Sequence, residues 1–383
     1  MSELARDLAW ERPAAALLLQ AERGAAVVGH ATPLELDREL AELAAALATG
    51  GAREPRFAYQ AAAKSDTAAQ LSRLAEGLDA IGDPASLLYA ARARELALER
   101  RLCESVGTAA FFALARQRYP RRDRFDAEAD QVAQAWLAPH ARDADDTASA
   151  ERASLSDAPS EPERTSVSDD ASDPASLVSR MRAELGARRL PVVVKVEARM
   201  SALAATGNGV VYVCVGRQLT SSDVERTVLH ELDGHVAPRH RADSMSLGIF
   251  RVGTAFGGDD QEGRALVCED RGGFLTRPRR TELGRRHVAS RMVEAQASFV
   301  DVARQLMDVG AAPADAARIA ARAVRGGGLA REVAYLPAYL RVKHALASSP
   351  RDEQLLAAGR IAVDALAVLT PMLSPGVAFA YRA

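Results

Sequence analysis

Apolar residues recur at three- and four-residue spacings from Pro33 to Arg122, as at Leu36, Leu40, Leu43, Ala44 and Leu47, and this period predicts helices. Thr49-Gly-Gly, Gly82-Asp-Pro and Tyr119-Pro supply the stops. A long helix is expected from Asp83 through Leu102, and another around Ala109 to Ala115. The pattern changes at Leu190-Pro-Val-Val-Val-Lys-Val-Glu-Ala and at Gly207-Asn-Gly-Val-Val-Tyr-Val-Cys-Val, two β-branched runs bounded by turn residues. They predict a small sheet, antiparallel because the connection is short. Helical spacing precedes them near Leu177 to Leu185. It returns over Ser221 to His235, Gln261 to Asp270, Gly284 to Met307, Pro313 to Val324 and Gln354 to Leu369.

The expected fold class is therefore α+β and mostly helical. An N-terminal helical layer over residues 1–142 and a region over 177–383 form one integrated unit, interrupted at 143–176. From Asp143 to Asp173 the chain is rich in Ser, Asp, Glu, Pro and Ala, with Leu155 and Val167 the main large apolar residues, too little to offset the entropy of ordering a backbone. That segment reads as a disordered acidic insertion.

Composition narrows the function classes. A formal charge of -2, with 26% charged and 48% hydrophobic residues, excludes wholesale disorder and gives no polyanion-binding surface. The arginines from Arg277 to Arg286 lack interleaved aromatics, so nucleic acid is not an expected partner. Cys103, Cys214 and Cys268 are far apart and odd in number, which argues against a disulfide framework or a Cys-based zinc site and fits a reducing, cytoplasmic setting. Glu3, Asp7 and Glu11 oppose a signal peptide. The longest apolar stretch, Ile361 to Val377, carries Asp364 and two prolines, so no membrane span is expected.

The candidate chemistry sits in Thr227-Val-Leu-His-Glu-Leu-Asp-Gly-His, which holds two of the seven histidines, His230 and His235, with Glu231 directly after the first. Zinc peptidases of the His-Glu-x-x-His type use a four-residue step, which keeps both rings on one helix face. Here the step is five residues, and a regular helix would turn it ~500°, leaving the rings ~140° apart. One widened π-type turn restores alignment, because five residues at about 4.4 per turn rotate ~410°. Gly234 makes that distortion inexpensive. Ser221-Ser222-Asp223 caps the helix entry, Val228, Leu229 and Leu232 give it a buried stripe, and Pro238 is expected to end it.

A catalytic zinc takes three protein ligands and leaves a position for water. The third candidate is Glu262, which opens a helix on one face with Ala265 and Glu269; Glu269 would lie deeper, orienting a histidine. His240, Asp259 and Asp260 compete for the third position. His30, His140, His287 and His344 have no partner at ligand spacing.

His230-Glu-Leu-Asp-Gly-His-Val followed by Gln261-Glu-Gly-Arg-Ala-Leu-Val-Cys-Glu resembles the family of QEGLA-motif proteins and microtubule-associated tyrosine carboxypeptidases. Shorter echoes occur at Pro55-Arg-Phe-Ala-Tyr, Val106-Gly-Thr-Ala-Ala-Phe and Arg325-Gly-Gly-Gly-Leu-Ala-Arg-Glu-Val-Ala-Tyr-Leu. The resemblance implies a gluzincin-like metallopeptidase with one zinc, ligands His230, His235 and Glu262, and Glu231 as base. Arg264 stands where that family usually has Leu, Asp233 adds a charge inside the motif, and the acidic insertion is a further departure.

The expected reaction is hydrolysis at a peptide or protein C-terminus, with Glu231 taking a proton from a zinc-activated water. Arg325, Arg331 and Arg341 are candidate cations for the substrate's terminal carboxylate, and Tyr335 a candidate donor to the oxyanion. The alternative is a metal-stabilised regulatory or interaction protein without turnover. Glu231 discriminates the two, because a closed structural site has no use for an acid beside its first histidine.

Overall fold

The computed structural model describes residues 9–60, 62–138, 164–198, 200, 202–207 and 209–372. Helices α1 (Glu11–Arg23), α2 (Val27–His30), α3 (Leu36–Ala48), α4 (Thr67–Ile81), α5 (Pro84–Ser105), α6 (Ala110–Arg118) and α7 (Arg124–Leu137) form the N-terminal layer. Asp83 accepts from the amides of Ala85 and Ser86 to start α5, with Pro84 at its first position, and Asp123 and Asp126 cap α7 reciprocally. Then come β1 (Thr165–Val167), α8 (Leu177–Ala187), β2 (Val193–Glu197), β3 (Ala204–Gly207), β4 (Val210–Cys214) and β5 (Gln218–Thr220).

The remainder is helical: α9 (Ser221–Leu229), a π-helix (His230–Val236), α10 (Ala237–Ala242), α11 (Ile249–Val252), α12 (Gly257–Arg271), α13 (Arg277–Glu294), α14 (Phe299–Asp308) and α15 (Pro313–Gly328). A 3-10 turn (Arg331–Ala334) leads into α16 (Tyr335–Ser348), α17 (Pro350–Leu356), a second such turn (Val363–Ala365) and α18 (Leu366–Met372). The molecule is mostly helical with small sheets, as the hydrophobic periods predict.

Leu18, Leu71, Tyr89 and Leu96 from the N-terminal helices share one buried cluster with Leu266, Leu336, Val342 and Leu355 from the C-terminal half. A separate cluster joins the sheet to the motif helix through Met181, Val211, Val213, Val224, Val228 and Leu232. The three shorter motif echoes also converge. The Gly326 amide donates to the Tyr59 hydroxyl at 2.8 Å, the Gly107 amide donates to the Gly326 carbonyl at 2.8 Å, and Phe111 packs on Gly326.

Several local expectations are corrected. The two β-branched runs pair in parallel, β2 on β4, while the short strand β3 between them in sequence pairs antiparallel with β4 at the sheet edge. Gly209, at φ 75°, closes the β3–β4 hairpin, and β4 is thereby returned alongside β2 in the same direction. The helix expected from Gly284 to Met307 is two: Gln296 adopts φ 64° and Ser298 with Asp301 caps a new start. The one expected from Gln354 to Leu369 is broken where Gly359 packs against the Phe250 backbone. Pro238 does not end the motif helix, which runs on through Ala242.

Of the acidic insertion expected over 143–176, residues 143–163 lie outside the described residues. From Arg164 onward the chain is built in: β1 pairs antiparallel with β5, Ser166, Ser168 and Ser176 are buried, and Ser176 caps α8. Short polar side chains satisfied by backbone, as Ser168 is by the Cys214 carbonyl and the Arg217 amide, let a serine-rich segment pack without large apolar residues.

Candidate active site

The motif helix is started by Thr220 and Asp223, whose side chains each bond the other's backbone amide, one residue earlier than its sequence suggests. It proceeds as α-helix to Leu229 and then widens into the π-helix His230–Val236. The Ala237 amide donates to the Leu232 carbonyl, five residues back. This turn brings the two rings together, with Nε2 of His230 and Nε2 of His235 3.4 Å apart and ring centroids 5.2 Å apart.

Glu262 comes from α12. Its Oε2 lies 3.6 Å from Nε2 of His230 and 3.7 Å from Nε2 of His235. Three atoms so spaced fit zinc, since ligands at ~2.1 Å in a tetrahedral site lie ~3.4 Å apart. Close helix approach makes this reach available. A Cβ on Gly234 would stand 2.6 Å from the Ala265 Cβ, and one on Gly263 would stand 2.4 Å from the Ala338 carbonyl of α16. Small residues at 234, 263 and 265 thus set the depth at which Glu262 is presented.

The surrounding groups fix orientation and charge. Nδ1 of His230 is 2.7 Å from Oε1 of fully buried Glu269, which turns Nε2 toward Glu262 and His235. Arg279 closes the far side of Glu269 with two hydrogen bonds of 2.8 and 2.9 Å and also bonds Glu282 at 2.9 Å. Burial would raise the Glu269 carboxyl, but Arg279 and His230 outweigh it and hold it well below the usual range. For His230 burial favours the neutral ring, yet the bonds to Glu262 and Glu269 prevail and its pKa rises to about 9.

Glu231 is buried and accepts a hydrogen bond from the Thr206 hydroxyl of edge strand β3 at 2.7 Å. Its carboxylate lies within 4.8 Å of the ligand atoms of His230 and His235. Arg331 Nη2 bonds the outer oxygen of Glu262 at 3.0 Å, and its Nη1 donates to the Tyr335 hydroxyl at 3.3 Å. Burial pushes the Tyr335 hydroxyl up to about 12, so it keeps its proton at neutral pH.

The structure thus brings together His230, Glu231, His235, Glu262, Glu269, Arg331 and Tyr335. Arg325 and Arg341 stand apart from this group. Arg325 is 3% exposed and 3.9 Å from the Glu332 carboxylate, and Arg341 is bonded to Asp123 and Asp260. Asp259 is taken by Arg118 at 2.9 Å, and Asp260 by Arg341. His287 is buried against Asp130 at 2.8 Å, His344 lies beside Phe125, and His140 is outside the described residues. Of the arginine run, Arg279 and Arg286 are buried in ion pairs. Asp233, inside the motif, turns outward to Arg188 at 2.7 Å. Thr206 and Arg279 have no motif of their own; the hydrophobic pattern of 204–207 does not announce a strand, and Arg279 lies in a run of similar arginines.

Two imidazoles on one helix, faced by a carboxylate from a second and flanked by the carboxylate of Glu231, form a group that could hold a metal ion. The chain belongs to the microtubule-associated tyrosine carboxypeptidase family, whose model matches residues 45–381. The match takes in the motif helix, α12 and all three shorter echoes. No curated protein and no solved structure matches the chain. No helix among the described residues is long and apolar enough to cross a membrane.

Proposed function

We propose that the protein is a zinc-dependent carboxypeptidase with a gluzincin-like site, removing residues from the C-terminus of a peptide or protein. The observation that carries this reading is the triangle of His230 Nε2, His235 Nε2 and Glu262 Oε2, with edges of 3.4, 3.6 and 3.7 Å, beside a carboxylate that is not one of its corners. Family membership supports the carboxypeptidase part. Three free cysteines suit a reducing cytoplasm.

Zinc held by these three side chains would supply a Lewis acid for the scissile carbonyl and acidify a water. Glu231 would accept a proton from a water held there and return it to the leaving amine, and the Thr206 hydroxyl fixes one of its carboxylate oxygens. With zinc bound, His230 would give up its Nε2 proton, while Glu269 holds the remaining one on Nδ1 and fixes the ring's orientation. Tyr335, protonated at neutral pH, donates to the developing oxyanion. Arg331 is 22% exposed at its side chain, whereas Arg325 and Arg341 are at 3% and 5%, so Arg331 is the cation positioned to meet a substrate carboxylate.

A random peptide pool incubated with zinc-loaded wild type and with Glu231→Gln, then sequenced at both ends by mass spectrometry, tests this. Trimmed C-termini with wild type alone are expected. Internal cuts, N-terminal trimming or intact peptides would contradict it, the last favouring a binding protein that uses metal only for structure.

A further inference from the structure

Pro238 lies just past the π turn and has no amide proton to give. In an α register the amide of residue 238 would meet the carbonyl of Gly234, and in a π register that of Asp233. Both oxygens face α12, and both are taken by one side chain: Nη2 of Arg264 donates to the Asp233 carbonyl and, at 2.9 Å, to the Gly234 carbonyl. Arg264 is 9% exposed, so water does not readily replace it.

We infer that Arg264 is a positioning residue that locks the π turn in its ligand-presenting form by replacing the hydrogen bond Pro238 removes. Its place on α12 gives the lock a second effect. Ala265 sits under Gly234 and Glu262 lies one half-turn before Arg264, so the guanidinium ties the helix that carries two imidazoles to the helix that carries the carboxylate. A leucine at 264 would leave two buried carbonyls short of a donor, and the turn would relax toward an α register that parts His230 from His235. The inference rests on the metal-site reading for its effect on zinc, while the effect on the turn itself is independent of any ligand.

Four proteins test it: wild type, Arg264→Leu, Pro238→Ala and the double variant. Restoring an amide at 238 should make the guanidinium redundant. Zinc affinity, measured by competition with a chelator, should fall roughly 10- to 100-fold in Arg264→Leu and stay near wild type in Pro238→Ala. The double variant should recover most of the loss. In metal-free protein, hydrogen exchange at the Ala237 amide, which closes the π turn, should speed up in Arg264→Leu and slow again in the double variant. Unchanged exchange in Arg264→Leu, or additive effects in the double variant, would overturn the inference. If exchange follows the expected pattern but wild type binds no zinc, the lock stands and the metal reading falls.

Discussion

At the residue scale the site is organised by what each carboxylate already touches. Glu262 and Glu269 both face His230, yet they differ in their other partners: Glu269 is closed off by Arg279, whereas Glu262 shares one oxygen with Arg331 and leaves the other toward the histidines. Glu231 bonds a neutral hydroxyl rather than a guanidinium. Glu231→Gln should therefore retain zinc and lose turnover by ~10²–10⁴-fold, read as metal content beside kcat. Thr206→Val should also retain zinc while kcat falls on the order of tenfold, the worth of one hydrogen bond to a charged group, with little change in KM. That His230, Glu231, His235, Glu262 and Glu269 come together was legible in the sequence because spacing and a small-residue face are local signals. Thr206 and Arg279 were not, because their roles arise only when a strand edge and a third helix are brought to the motif.

At the scale of elements, a helix that must present side chains five residues apart has to change its winding, and the widening from His230 to Val236 is that change. It was legible because only one helical geometry aligns the rings. The parallel pairing of β2 with β4 was not, since it depends on β3, a four-residue strand with a weak pattern. The helix breaks at Gln296 and near Gly359 were hidden for a related reason: apolar periodicity continues across both, and only packing reveals the interruption. The crossing at Gly234 offers a direct check on the packing account. Gly234→Ala puts a methyl where Ala265 already is, so melting should show a loss of about 1–3 kcal/mol and chelator competition a weaker zinc. Ala265→Gly, added to that variant, should restore both. Equal stability of Gly234→Ala and wild type would show that the helices do not approach so closely.

On the scale of the whole molecule, the N-terminal layer is not an appendage. Its side chains share the largest buried cluster with α12 and α16, the helices that carry Glu262 and Tyr335. Behind the site, Glu332 is 2% exposed and gathers Arg286, Arg322 at 2.8 Å and Arg325 at 3.9 Å. Burial would raise its carboxyl, but these guanidiniums hold it well below the usual value of 4.5. A depressed folded pKa means that the stabilisation is fully present above about 4.5 and is lost as pH falls toward the folded value. Glu332→Gln should cost ~3–5 kcal/mol at pH 7, because it leaves buried cations uncompensated, and its melting gap from wild type should narrow in acid. The helical class was legible from periodicity, while the ordered stretch from Thr165 to Ser176 was not, since its buried residues are serines. The proposed metal centre is made by two elements, the motif helix and α12. Zinc content after dialysis against trace metal, for wild type, His230→Ala and Glu262→Ala, tests that most directly: about one zinc per chain in wild type and almost none in either variant is the predicted result, whereas stoichiometric zinc in both variants, or none in wild type, would contradict it.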